Sequence, residues 1–169
     1  MEKEEVRIKI KSELYEVEES LFSDLPEDDD EFVFASSDSE PAYDVEEKDI
    51  LEINTIGTYF SDNGRITVSY DETDASGMEG SVTSLTFLKS NPGIVSLIRE
   101  GTVSATLVFE EGKRYHCIYN TPILPFEICV RTKKVVNLIS VNGSLELDYI
   151  VEIRGAKAER TKFYMQVLK

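Results

Sequence analysis

The run Val6-Arg7-Ile8-Lys9-Ile10-Lys11 alternates apolar with cationic side chains. A period of two sends successive side chains to opposite faces, so this run reads as a β-strand with one dry and one wet face. Comparable runs follow at 50–60, 65–72, 81–89, 94–99, 103–109, 115–119, 126–132, 135–141, 145–153 and 163–168. Asn63-Gly64 separates the first two of these and supplies the positive φ angles of a tight hairpin. Asn91-Pro92-Gly93, Glu100-Gly101, Glu111-Gly112 and Asn142-Gly143 punctuate the rest, the last as a second hairpin.

Short strands joined by short turns, with no convincing helical period between them, predict an all-β antiparallel meander. Such a sheet must close or expose its edges. Closure gives an up-and-down barrel, and a sandwich is the alternative. One parity per strand gives a core of Ile8, Ile10, Ile66, Val68, Tyr70, Val95, Leu97, Val103, Leu107, Phe109, Tyr119, Ile128, Val130, Leu145, Leu147, Tyr149, Val151, Met165 and Val167.

Charge changes this picture in one place. Residues 16–49 hold 15 of the 33 acidic residues against one basic residue, Lys48, and so carry −14 of the formal net charge of −15. The composition of this tract is too polar to offset chain entropy by burial, so it reads as an acidic, mobile insertion after the first strand of one domain spanning 1–169. Leu21-Phe22 and Phe32-Val33-Phe34 are its apolar islands, able to dock on the barrel or on a protein partner. Outside the tract, 17 basic residues face 18 acidic ones, a balance that opposes nucleic-acid binding. Arg131, Lys133 and Lys134 form one basic cluster, onto which the acidic tract is expected to fold or which an anionic partner is expected to use.

No apolar run reaches the ~18 residues needed to span a bilayer, and the start, Met1-Glu2-Lys3-Glu4-Glu5, has no hydrophobic segment, which points to the cytoplasm. Cys117 and Cys129 lie on neighbouring strands joined by Thr121-Pro122-Ile123-Leu124-Pro125. A turn centred at Ile123 and Leu124 sets Cys117 opposite Val130 and Cys129 opposite Ile118, so the thiols point to opposite faces and stay reduced.

Chemistry is sparse. His116 is the one histidine, and as Cys117's strand neighbour it faces the other way, so no nucleophile–base dyad forms. No metal site, cofactor site or catalytic set can be assembled from the sequence. Arg99 stands out because it shares parity with Val95 and Leu97, which aims its guanidinium at the apolar face, where a charge needs a partner. Glu72 is the candidate carboxylate, with Tyr70, Tyr119, Thr132 and Tyr149 as neutral neighbours. Two readings stay open for this set: a lumen anchor for a ligand carboxylate or phosphate, and an internal salt bridge that fixes register.

From Gly57 onward the residue order resembles an uncharacterised bacterial family of small calycin-like β-barrel proteins, the YwiB-like group, a domain of unknown function. The positions that carry the resemblance are Gly57, Tyr59, Tyr70, Glu72, Gly80, Thr83, Leu85, Arg99-x-Gly101, Phe109-x-x-Gly112, Tyr119-x-Thr121-Pro122, Thr132 and Gly143-x-Leu145-x-x-x-Tyr149, over about two thirds of the chain. The resemblance implies a closed barrel of the lipocalin and fatty-acid-binding class and no established activity. The acidic tract departs from it. The reading at this stage is a non-catalytic barrel that binds a small anionic or apolar amphiphile in its lumen or a protein at its rim. The alternative is a solid structural or interaction barrel whose acidic loop engages a basic partner.

Overall fold

The computed structural model describes residues 2–17, 48–153 and 158–169. Residues 18–47, which hold nearly all of the acidic insertion, lie outside the described residues. Ten strands form one antiparallel sheet among the described residues: β1 (Glu2–Val17), β2 (Lys48–Asp62), β3 (Arg65–Asp71), β4 (Ser81–Leu88), β5 (Asn91–Gly101), β6 (Ala105–Glu110), β7 (Arg114–Asn120), β8 (Pro125–Leu138), β9 (Ser144–Ile153) and β10 (Ala158–Leu168). Each strand pairs with its neighbours in sequence, except that β6 and β7 form the two edges. β1 also pairs with β10 over Arg7–Val17, so the meander curls back on itself. The last gap, between β6 and β7, is bridged at one end by Ser104 N–H to the Asn120 carbonyl at 3.0 Å and Asn120 N–H to the Ser104 carbonyl at 2.8 Å. The result is a nearly closed up-and-down barrel.

Alternation decides what points inward. Ile8 and Ile10 of β1, Ile66, Val68 and Tyr70 of β3, Thr83, Leu85 and Phe87 of β4, and Leu145 and Leu147 of β9 are buried on the lumen side. On the outer side of the β3–β4 pair, hydroxyls face each other across the ladder, Thr67 with Thr86 at 3.0 Å and Ser69 with Ser84 at 2.8 Å, which explains the Thr- and Ser-rich sequence of β4. Gly57 of β2 sits where a Cβ would collide with the Ser69 carbonyl oxygen and Ile8 Cδ1. Backbone is one of those two neighbours and cannot swing away. Gly57→Ala is therefore expected to destabilise the barrel by about 1–3 kcal/mol, measured by urea unfolding.

Several turns differ from the sequence reading. Asn63 and Gly64 do both take positive φ, 49° and 78°. Asn142-Gly143, in contrast, ends a one-turn helix, α1 (Ile139–Asn142), with Gly143 left-handed at its C-terminus. The segments 126–132 and 135–141 are not two strands, since β8 runs through the first and on to Leu138 in the second, where α1 takes over, and a bulge between Thr132 and Lys134 absorbs the extra residue. The β7–β8 register is also two residues from the expected one, with Cys117 opposite Ile128 and a four-residue turn whose Thr121 Oγ1 donates to the Leu124 carbonyl at 2.8 Å. A shift of two preserves parity. Cys117 and Cys129 are accordingly both free and on opposite faces.

The two ends of the barrel differ. One carries the turns at Asn63-Gly64 and Lys89-Ser90, the 111–113 turn and α1, whose Ile139 is buried. The other carries the loops 72–80, 102–104 and 121–124, and there the chain leaves β1 at Val17 and returns at Lys48. The acidic insertion is therefore rooted at this second end. No described helix is long and apolar enough to cross a membrane.

Candidate functional site

The second end is hollow. A cavity of about 420 Å³ opens there, while the half of the barrel nearer α1 is filled by side chains. Late β1, early β2, late β5, early β6 and early β10 give it apolar walls from Ile10, Leu51, Ile53, Leu97, Leu107 and Phe163. Phe109 backs the wall from below, its ring centroid 4.6 Å from that of Tyr149.

A polar belt crosses this cavity. Arg99 forms the last pair of the β5–β6 ladder, opposite Ala105 on that side and Thr83 on the other, and its alternation with Val95 and Leu97 turns it inward. Its Nε donates to Thr83 Oγ1 at 3.3 Å and lies 3.7 Å from Glu72 Oε1, and its Nη1 donates to the Tyr119 hydroxyl at 3.3 Å. Thr83 in turn donates to Glu72 Oε1 at 2.5 Å, so Thr83 mediates between the two charges. Nη2 has no hydrogen-bond partner among the described residues. The Tyr119 hydroxyl in turn donates a hydrogen bond to Met78 Sδ at 3.2 Å, which ties the 72–80 loop over the cavity. Burial disfavours the charge on Arg99, but Tyr119, Tyr149, Tyr70 and Glu72 more than offset this and hold it above its ordinary value. Tyr70 is pushed up by burial first and by Glu72 second, and Tyr149 is pushed up by burial despite Arg99. Both phenols stay protonated near neutral pH.

Five of the six residues expected at the site, Arg99, Glu72, Tyr70, Tyr119 and Tyr149, line this cavity. Thr132 does not. It has inward parity opposite Tyr149 but is fully buried outside the cavity wall, with no hydrogen-bond partner for its hydroxyl among the described residues. Sequence reasoning passed over Thr83, Met78, Thr161 and Glu159, all part of the belt or its lining. The signal for two of them was present: Glu159, Thr161 and Phe163 share the parity of Met165 and Val167. The basic cluster of Arg131, Lys133 and Lys134 is not a common exposed patch. Arg131 is 1% exposed and pairs with the fully buried Glu152 at 3.0 Å on the outer parity of β8 and β9, while Lys134 pairs with Glu146 at 3.0 Å.

The sequence of residues 40–165 matches a family described as a domain of unknown function, DUF1934. The chain belongs to this family. The DUF1934 match begins inside the acidic tract and ends within β10, leaving β1 outside it. The fold itself is similar to the crystal structure of the YwiB protein from Bacillus subtilis, with a TM-score of 0.61, 14% sequence identity, and coverage of 97% of this chain and 92% of that one. At that identity the likeness is one of fold. No curated protein matches this DUF1934 chain.

Proposed function

We propose that the barrel is a non-catalytic binding protein whose lumen takes a small amphiphile, with an apolar body against Ile10, Ile53, Leu97 and Leu107 and an anionic group on Arg99. The observation that carries this reading is the cavity: about 420 Å³ lies within the range of small-molecule sites, which start near ~300 Å³. A solid structural barrel has no use for that space. The Nη2 of Arg99, a guanidinium with Tyr119, Tyr149 and Tyr70 within electrostatic reach, gives an anion a charge-assisted donor in a partly dry setting. No group at the cavity is set up as a nucleophile with its base, and the raised phenols are poor bases at neutral pH.

Native mass spectrometry of the protein purified from its own host is expected to show a retained small molecule, lost on Arg99→Met. That variant also separates the two roles of Arg99. A small stability change with lost retention identifies an anchor, whereas a loss of roughly 3 kcal/mol or more identifies a structural partner of Glu72.

A second reading, protein contact at the rim, draws on the β7–β8 turn, where Ile123 is 87% exposed and Leu124 47% exposed beside the cavity mouth. The −14 charge of residues 16–49, rooted at the same end, makes a basic protein surface the complementary partner.

A further inference from the structure

Arg99 is the sole cation among the described residues lining the cavity, and the acids among them are Glu72 and Glu159. Arg99 and Glu159 stand on different walls, two residues before the end of β5 and one residue into β10, so both lie near the mouth while the apolar walls continue below them. Tyr149 lies within electrostatic reach of both. Glu159 does not stand alone: it faces Glu16 directly across the β1–β10 ladder, and Asp49 is opposite Leu14 on the β2 side of the same strand. Like charges opposed across a ladder destabilise one another. The carboxyl of Glu159 registers this, raised by burial first and then by Glu16 and Asp49.

Resting on the lumen reading above, the geometry points to a zwitterionic amphiphile as the ligand, its anionic group on Arg99, its cationic group at Glu159 with Glu16 and Asp49 behind, and its tail running down between the apolar walls. Acids at a rim would by themselves be a solvated edge. Here they border an apolar-walled cavity and face the guanidinium of Arg99 across it. A purely anionic amphiphile gains Arg99 but meets Glu72 beside it and three carboxylates at the entrance. A purely cationic one satisfies the entrance and leaves Arg99 without a ligand contact. A head carrying both signs meets both walls, and its cation relieves the repulsion that the three carboxylates impose on one another.

The test is titration calorimetry of the full chain with three probes whose alkyl tails have nine or ten carbons: decanoate, decyltrimethylammonium and N-decyl-N,N-dimethylglycine. The zwitterionic probe is expected to bind about tenfold or more tighter than either singly charged probe. Glu159→Gln, at an exposed position, is expected to bring it down to the level of decanoate while decanoate itself binds as well or better. If decanoate or decyltrimethylammonium matches the zwitterion, or if Glu159→Gln leaves its advantage intact, the inference falls and the lumen reading stands. If none of the three binds, the lumen reading itself falls.

Discussion

Replacing Arg131 by Met is expected to lower the stability of the barrel by about 3–5 kcal/mol, the cost of stripping a buried charge of its partner. Glu152 is fully buried, and neither of its carboxylate oxygens has a hydrogen-bond partner among the described residues, so the ion pair at 3.0 Å is what compensates its charge. Removing the cation leaves that carboxylate buried without its ion-pair partner. The double replacement Arg131→Met with Glu152→Leu is expected to recover part of the loss, since it removes the unpaired carboxylate as well. Thermal and urea unfolding of the single and double variants measure both effects. A single variant as stable as the parent would show that the pair contributes nothing net.

Phe109→Ala is the second large effect, and it bears on the site. Phe109 is fully buried and its ring packs on that of Tyr149, which lines the cavity from above. Truncation removes both transfer energy and packing, at about 3–5 kcal/mol. It also opens space under Tyr149, continuous with the lumen. The variant is therefore expected to shift its preference toward longer alkyl chains, read by comparing decyl and tetradecyl probes by calorimetry. An unchanged chain-length preference would show that the space under Tyr149 is closed off from the ligand.

How far the sequence reveals such features depends on what each one rests on. Parity survives many errors: the β7–β8 register was off by two residues, yet both cysteines face as expected, because side-chain direction repeats every second residue. The inward turn of Arg99 was legible for the same reason, from Val95 and Leu97 before it. Its partnership with Glu72 was legible only in outline, because Thr83 enters from a third strand and its mediation depends on register rather than on pattern. The single length of β8 was hidden, since Lys133-Lys134 between two apolar runs looks like a connection when the bulge is unknown. The burial of Arg131 and Glu152 was invisible altogether. Both sit on the outer parity, where alternation assigns exposure, and nothing in the spacing of two charged residues on different strands announces that they meet.

The pairing of β1 with β10 has a kinetic consequence. Every other ladder in the sheet joins strands that are neighbours in sequence, and all but the β1–β2 ladder are connected by short links, so those hairpins form after closing small loops. The β1–β10 ladder joins the two strands most distant along the chain, and its loop-closure entropy is met before any of its hydrogen bonds form. The zipping of these two strands is therefore expected to be the slow step of folding, read as a folding rate that rises when the two ends are tethered. Until it is complete, one edge of β1 stays open to pairing with another chain.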